Sequence, residues 1–498
     1  MTNGHSQIQN QVDSHRQAAV ALELRRKLPA TSVFTREEEL HPYECDGLTA
    51  YRELPMVVVL PSTVKEIEAV LKIASDHAVP VVTRGAGTSL SGGALPRRDG
   101  ILMSLAKLNQ ILAIDPFNRT ARVQPGVRNL AISDAVAIHG LFYAPDPSSQ
   151  IACSIGGNVA ENAGGVHCLK YGLTVHNILK LEVLTVDGES LTIGSDALDA
   201  PGFDLMALLT GSEGMLGVVT EVTVRLLPIP ERIEVLLAAY DSVETAGEAV
   251  SEIIAAGIIP AGLEMMDSPA IRAAEEFVHA GYPVDAAAIL LCELDGTDEE
   301  VRQQARRVQD MLLASGAVEV RIAENEEDRR RMWAGRKGAF PAIGRISPDY
   351  YCMDGTIPRH RLPEVLRRIT ELSKEYRLPV ANVFHAGDGN LHPLILYDAN
   401  IPDELERTEE FGGRILQLCV EVGGTITGEH GVGVEKINQM CVQFSAAELS
   451  QLHDIKAVFD PDSLLNPGKA VPTLHRCAEF GAMHVHNGKL SHPELERF

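Results

Sequence analysis

A chain of 498 residues is long enough for two or three domains with full cores. Its apolar fraction of 45% and charged fraction of 22% are those of an ordinary globular protein. The formal net charge of −24 excludes a nucleic-acid binder, which would need a basic face.

In chain order, 1–50 reads as a polar leader followed by a helix. The leader lacks the apolar core of a signal peptide, and no apolar run approaches the roughly 20 residues of a membrane span. A cytoplasmic protein is predicted, peripheral at the inner face of a membrane only through partners. The apolar run 57–60 predicts a strand. Thr63-Val64-Lys65-Glu66 fits a capping box, and Ile67, Val70, Leu71 and Ala74 follow at helical spacing. A second strand at 79–83 completes a βαβ unit. It delivers the chain into Arg84-Gly85-Ala86-Gly87-Thr88-Ser89-Leu90-Ser91-Gly92-Gly93. Small residues crowd 145–165. Strands at 180–185 and 218–226 then flank Gly211-Ser212-Glu213-Gly214.

Pro228-Ile229-Pro230 is the expected boundary between a first domain, 51–230, and a second, 231–470. Beyond it, strands near 235–239, 262–266 and 287–294 precede a helix opened by a second capping box, Thr297-Asp298-Glu299-Glu300. The pattern predicts an antiparallel sheet with helices on one face, of ferredoxin-like type, and so an α+β protein. A C-terminal helical part ends near Leu465-Asn466-Pro467-Gly468-Lys469, and the tail 471–498 is irregular. Eight scattered cysteines form no Cys-x-x-Cys pair, which removes the common iron–sulfur and zinc-ribbon signatures. Structural thiols are expected.

The loop 84–93 superficially matches a dinucleotide fingerprint. A Rossmann site needs a helix directly after the loop, and Ser91-Gly92-Gly93-Ala94-Leu95-Pro96 starts a helix poorly. The loop still offers free backbone N–H groups to an anion, with Arg84 beside it. Pro145-Asp146-Pro147-Ser148-Ser149, the run from Ser154 to Gly165, and Gly211-Ser212-Glu213-Gly214-Met215-Leu216-Gly217 suit backbone laid flat against a planar ring. Each alone is equally a plain glycine-rich connection.

His385-Ala386-Gly387-Asp388-Gly389-Asn390-Leu391-His392 reads as two strands joined by a tight turn. Its histidines are expected opposite each other on one face, about 5 Å apart at Cβ. Two neutral imidazoles so placed favour a shared metal ion over two structural histidines. A third ligand should be a carboxylate, and Glu429 in Gly428-Glu429-His430-Gly431-Val432-Gly433 supplies one, unless that segment is simply a solvated loop. Two nitrogens and a carboxylate suit catalytic Zn²⁺, Mn²⁺ or Fe²⁺.

Together the small-residue segments resemble a vanillyl-alcohol oxidase type FAD-binding domain. The resemblance implies that Arg84, Gly85, Ala86, Gly87, Thr88, Ser89 and Leu90 wrap the pyrophosphate. Pro145, Asp146, Ser148, Gly156, Gly157, Asn158, Asn162, Gly164 and Gly165 line the rest of the cofactor, with Glu213, Gly214, Gly217, Val219 and Asn466. No histidine stands in the first loop, so noncovalent FAD is expected. With the later motifs, the span from Tyr51 to Lys469 resembles the FAD-linked 2-hydroxy-acid dehydrogenases. That family includes D-lactate dehydrogenases, D-2-hydroxyglutarate dehydrogenases and the flavoprotein (D) subunits of bacterial glycolate oxidases.

The resemblance implies a divalent metal on His385, His392 and Glu429, His430 as base, and Arg336 as the fork for the substrate carboxylate. Trp333 is expected in the core. Cys352 and Leu394 stand where relatives acting on the longer diacid carry lysine and asparagine, which points to glycolate or D-lactate. The implied reaction is metal-assisted deprotonation with hydride transfer to flavin N5. The implied partners are an iron–sulfur subunit and a second flavoprotein-like subunit, as in a glycolate oxidase complex. The alternatives are a stand-alone D-lactate dehydrogenase and a noncatalytic flavin-binding assembly subunit. The tail from Cys477 to His486 also resembles the end of the glycolate oxidase D subunit.

Overall fold

The computed structural model describes residues 14–197 and 202–472. The leader 1–13 and the tail from 473, with Cys477, His484 and His486, lie outside the described residues. The first sheet contains β1 (Val33–Phe34), β2 (Val57–Val59), β3 (Val81–Arg84) and β4 (Ile101–Ser104). Its order is β1-β2-β4-β3, with β2, β4 and β3 parallel. The expected βαβ unit is present, and β4 fills the gap left by its crossover. Thr63 caps the helix Val64–Asp76 by accepting from Glu66 N at 3.3 Å. The Glu66 carboxylate takes the Ser62 N–H, so reciprocity is shifted by one residue. β3 ends at Arg84, which puts the glycine-rich loop at the carboxyl end of a parallel strand.

The second sheet follows through β5 (Ile111–Asp115), β6 (Thr120–Val123), β7 (Leu141–Phe142), β8 (Ile178–Leu184), β9 (Ser190–Gly194), β10 (Val218–Arg225) and β11 (Leu227–Pro228). Five of these form an antiparallel sheet in the order β5-β6-β10-β8-β9, and β7 pairs with β11 beside it. The helix Ile155–Glu161 packs against β10.

Beyond Pro228 come β12 (Arg232–Tyr240), β13 (Gly262–Asp267), β14 (Ala288–Gly296), β15 (Glu319–Ile322), β16 (Asp349–Cys352), β17 (Gly355–Thr356), β18 (Val380–Phe384), β19 (Asn390–Leu391) and β20 (Pro393–Tyr397). Seven build an antiparallel sheet, β15-β12-β14-β13-β18-β20-β16. The expectation of helices on one face fails here, because both faces are apolar. Alternate residues of β12 feed two separate cores: Leu236, Ala238 and Tyr240 one, Val235, Leu237 and Ala239 the other. The helices Val243–Ala255, Asp298–Ala314, Leu362–Tyr376 and Glu404–Glu421 cover the first face, and Ser268–Val278, Glu326–Lys337 and Ala339–Ile343 the second. Thr297 caps its helix without a side-chain bond, so the second capping box does not form.

After the helix Ala446–Phe459 the chain returns to the first sheet. Val81 N–H donates to Leu464 O at 2.7 Å and Asn466 N–H to Val81 O at 2.8 Å. Cys45, Cys153, Cys168, Cys292, Cys352 and Cys419 are free thiols, whereas Cys441 is disulfide-bonded. The expectation of thiols throughout missed it, because pairing depends on proximity in the fold. Among the described residues no helix is long and apolar enough to cross a membrane.

Candidate active site

A cavity of about 380 Å³ joins the small-residue segments of the first half to the histidines of the second. Gly85, Ala86, Gly87, Thr88, Ser89 and Leu90 form one wall. Ser148, Gly156, Gly157, Asn158 and Gly164 form another, and Glu213, Gly214, Gly217 and Val219 close it. A Cβ on Gly85 would collide with Ser154 Oγ, so the first two segments meet only because this residue is glycine.

Other expected cofactor residues stand behind the wall. Arg84 does not line the cavity; its guanidinium lies beneath Gly87 and donates to Cys45 O at 2.6 Å. Pro145 O accepts from Asn129, Asp146 holds His167, and Gly165 packs against Asp146. Asn162 accepts from Val175 N–H at 3.0 Å. Asn466 donates to Gly93 O at 3.0 Å and to Glu213 O at 2.7 Å, bracing two wall loops together. The Glu213 carboxylate itself grips Val432 N–H and Gly433 N–H at 2.6 and 2.7 Å. Thr83, Ser154 and Glu161 line the cavity with buried side-chain oxygens that have no hydrogen-bond partner. Such orphans inside a glycine-walled cleft fit a large polar cofactor such as FAD.

At the far end, His392, Glu429 and His430 share the wall with Lys337, Phe340 and Tyr350. β18 and β20 form the expected hairpin, but its histidines are diagonal rather than opposite. His385 pairs with Asn390, and Val383 N–H reaches His392 O at 3.4 Å. The rings still share a face, with centroids 5.0 Å apart. Both Nε2 atoms converge on Glu429 Oε1, at 3.3 Å from His385 and 3.0 Å from His392. The outer nitrogens are occupied: His385 Nδ1 by Glu264 at 2.9 Å and His392 Nδ1 by Met353 O at 3.2 Å. Partners behind the rings aim both Nε2 atoms inward, as a metal site requires. The ligand atoms of the three lie within 4.8 Å of one another, so the donor set fits a divalent ion. Burial alone would raise the Glu429 carboxyl, but the two imidazoles draw it well below the usual range.

His430 stacks on His392, centroids 4.9 Å apart and planes 8° apart. Burial pushes its imidazole down to about 4, so it stands neutral near pH 7. Its loop is shaped by Asp354, whose carboxylate accepts from Thr427 Oγ1, Gly428 N, Glu429 N and His430 N, and from Lys436 Nζ at 3.2 Å. The His430 carbonyl accepts from Ser91 Oγ at 2.8 Å, which ties His430 to the glycine-rich loop. Arg336 is buried behind the wall. Its Nε and Nη2 hold Glu264 Oε2 at 2.9 and 2.6 Å. Trp333 is buried as expected and donates to Glu293 at 2.5 Å. Cys352 lies opposite Leu394 across β16 and β20, and its sulfur joins His392 and His430 in a second group of close donor atoms.

Sequence reasoning missed Glu264, Asp354 and Lys436. Glu264 left a faint signal, a lone acid in an apolar strand segment. Asp354 and Lys436 left none, because their partners come from remote segments.

Two family models match the chain: an FAD binding domain over residues 55–194 and the C-terminal domain of FAD linked oxidases over 229–470. The glycolate oxidase subunit GlcD of Escherichia coli (strain K12) is 68% identical over 480 residues, covering 96% of each chain. GlcD of Bacillus subtilis (strain 168) is 41% identical, over 86% of this chain and 91% of its own. A D-lactate dehydrogenase of Archaeoglobus fulgidus is 35% identical, over 84% and 92%. The fold matches p-cresol methylhydroxylase with a TM-score of 0.79 at 17% identity, covering 93% of this chain and 98% of that one. The chain therefore belongs to the FAD-linked oxidases, with the vanillyl-alcohol oxidase fold, in the group that holds the glycolate oxidase subunits GlcD and D-lactate dehydrogenases.

Proposed function

We propose that this chain oxidises glycolate, and D-lactate as well, to the 2-oxo acid, as the flavoprotein subunit of a glycolate oxidase complex. The observation that carries the reading is the pairing of His385, His392 and Glu429 with a neutral His430 at one end of a cavity whose remainder is glycine-walled. When bound, FAD supplies a two-electron acceptor, and a divalent ion on His385, His392 and Glu429 supplies Lewis acidity toward the substrate hydroxyl.

Glu264 and the Met353 carbonyl keep the two ligand histidines oriented. Arg336 is proposed as the fork for the substrate carboxylate, although its guanidinium sits behind the cavity wall, held by Glu264. His430 takes the hydroxyl proton, and its lowered basicity keeps it free to do so. Phe340 stands edge-on to both His392 and Tyr350, centroids 6.3 Å apart in each case, and shields the histidines from water. Cys352 and Leu394 offer no charge or amide for a second carboxylate, which favours a small monoacid. Electrons then pass to an iron–sulfur subunit and a second flavoprotein-like subunit at the inner face of the membrane.

Anaerobic flavin bleaching across a panel of 2-hydroxy acids, with metal analysis of the same sample, tests this. Glycolate and D-lactate should bleach the flavin and longer diacids should not. His392→Ala should stay yellow, lose the metal and bleach at least about a hundredfold more slowly. Full activity of that variant in metal-free buffer rejects the metal role. A flavin that no 2-hydroxy acid bleaches rejects the reading itself.

A further inference from the structure

His167 lies between the two halves of the molecule and outside the cavity wall. Its ring Nδ1 is 2.8 Å from Asp146 Oδ2, and its Nε2 is 3.0 Å from Glu293 Oε1. Its backbone N–H donates to Asp146 Oδ1 at 3.1 Å. Asp146 belongs to the segment whose next residues, Pro147, Ser148 and Ser149, line the cavity. Glu293 lies in β14, and its second oxygen accepts from Trp333 Nε1. Trp333 sits one helical turn before Arg336 and Lys337. One imidazole therefore links a cofactor-side wall of the first half to the helix Glu326–Lys337 of the second.

A neutral imidazole has a single N–H and donates to a single carboxylate, leaving the other facing a lone pair. Carboxylates at hydrogen-bond distance from both nitrogens suit the doubly protonated ring. The surrounding charges do not replace it. Arg329 Nη1 is 3.9 Å from Glu293 Oε2 but forms shorter contacts, at 2.7 Å, with Glu326. Lys170 and Tyr171 both turn to Asp295, at 2.5 and 2.6 Å. Burial opposes charge on His167, yet the Asp146 and Glu293 carboxylates outweigh it and hold the imidazole well above its ordinary value.

We propose that His167 is a positioning residue: held as an imidazolium between Asp146 and Glu293, it fastens the cofactor-facing segment 145–149 to the helix that carries Arg336. The proposal rests on the FAD-binding family alone and not on the identity of the substrate. Its pH signature has a fixed sign. A histidine whose folded value is raised stabilises fully below its unfolded value of about 6.5. That stability declines as pH rises further and is gone above the folded value.

The test compares the full chain with His167→Gln and with His167→Gln/Glu293→Gln. FAD affinity of the apoprotein and the thermal unfolding midpoint are measured from about pH 6 upward. At the acid end His167→Gln should bind FAD roughly tenfold more weakly and unfold earlier, and the gap from wild type should narrow as pH rises. The second substitution removes one of the two carboxylates that the lost cation leaves without its counter-charge, and it should recover part of both. Wild-type FAD affinity in His167→Gln, a gap that does not change with pH, or a double variant no better than the single one would each overturn the clamp. Should His167→Gln fail to fold, the double variant alone decides, since a shape-only role predicts no recovery.

Discussion

At the scale of single residues, Glu264 holds the most consequential position that lies off the cavity wall. One carboxylate faces both the buried Arg336 guanidinium and the outer nitrogen of His385. Burial opposes its charge, but His385 and Arg336 together keep the carboxyl below its ordinary value. Replacing it with glutamine preserves shape and removes charge. Arg336 is then a buried cation without a counterion, a change that costs about 3–5 kcal/mol. His385 keeps an amide oxygen as acceptor but loses the carboxylate behind its ring, and weakening such a partner typically lowers metal affinity by about 10–100-fold. Glu264→Gln should therefore lower both denaturant stability and metal affinity. Adding Arg336→Met should restore stability by removing the orphaned cation, yet leave metal affinity low. If metal affinity recovers along with stability, Glu264 acts on the fold and not on the ligand. Little of this was legible in the sequence. Histidines flanking a glycine turn announce themselves because they share a hairpin. A carboxylate from β13 meets them only once the seven-stranded sheet has formed.

At the scale of elements, the segment Thr427 to Gly433 is irregular, and irregular backbone needs its polar groups answered. Asp354 answers three consecutive N–H groups and the Thr427 hydroxyl, and Glu213 answers the Val432 and Gly433 N–H groups from the other half. The sequence showed Glu429 and His430 as chemistry but gave no hint of what shapes their loop. It showed the strands and the first capped helix well, because period-2 and period-3.6 patterns are local. It placed helices on one face of the seven-stranded sheet, although strands buried on both faces read as continuous apolar runs. Asp354→Asn should keep most of the loop's contour while weakening bonds worth about 1.5–3 kcal/mol each when charged. The expected result is at least a tenfold fall in kcat/KM with flavin content unchanged. Loss of flavin in step with activity would show instead that the whole cavity had collapsed.

At the scale of the whole molecule, the two halves close one cavity, and the segment after the last described helix ties them together. Asn466, in a left-handed conformation with φ +44°, comes from the segment that follows the last described helix. Its amide donates to Gly93 O and Glu213 O, its side-chain oxygen accepts from Lys469 Nζ at 2.7 Å, and its backbone N–H joins the edge of the first sheet at Val81. Gly93 closes the first glycine-rich stretch and Glu213 lies in the third segment, so one amide sets the spacing between two walls of the cofactor cleft. Alanine here strands the buried Glu213 carbonyl and removes one acceptor from Lys469 Nζ, which keeps Gly93 O and Leu95 O, at about 1–3 kcal/mol for the unsatisfied group. Ligand binding adds stability in proportion to affinity, so a wall spaced wrongly also forfeits the stabilisation that FAD provides. Asn466→Ala should lower the unfolding midpoint of the apoprotein modestly and that of the FAD-loaded protein by more, with flavin lost on gel filtration. Equal shifts with and without FAD would mean that Asn466 supports the fold but not the cleft.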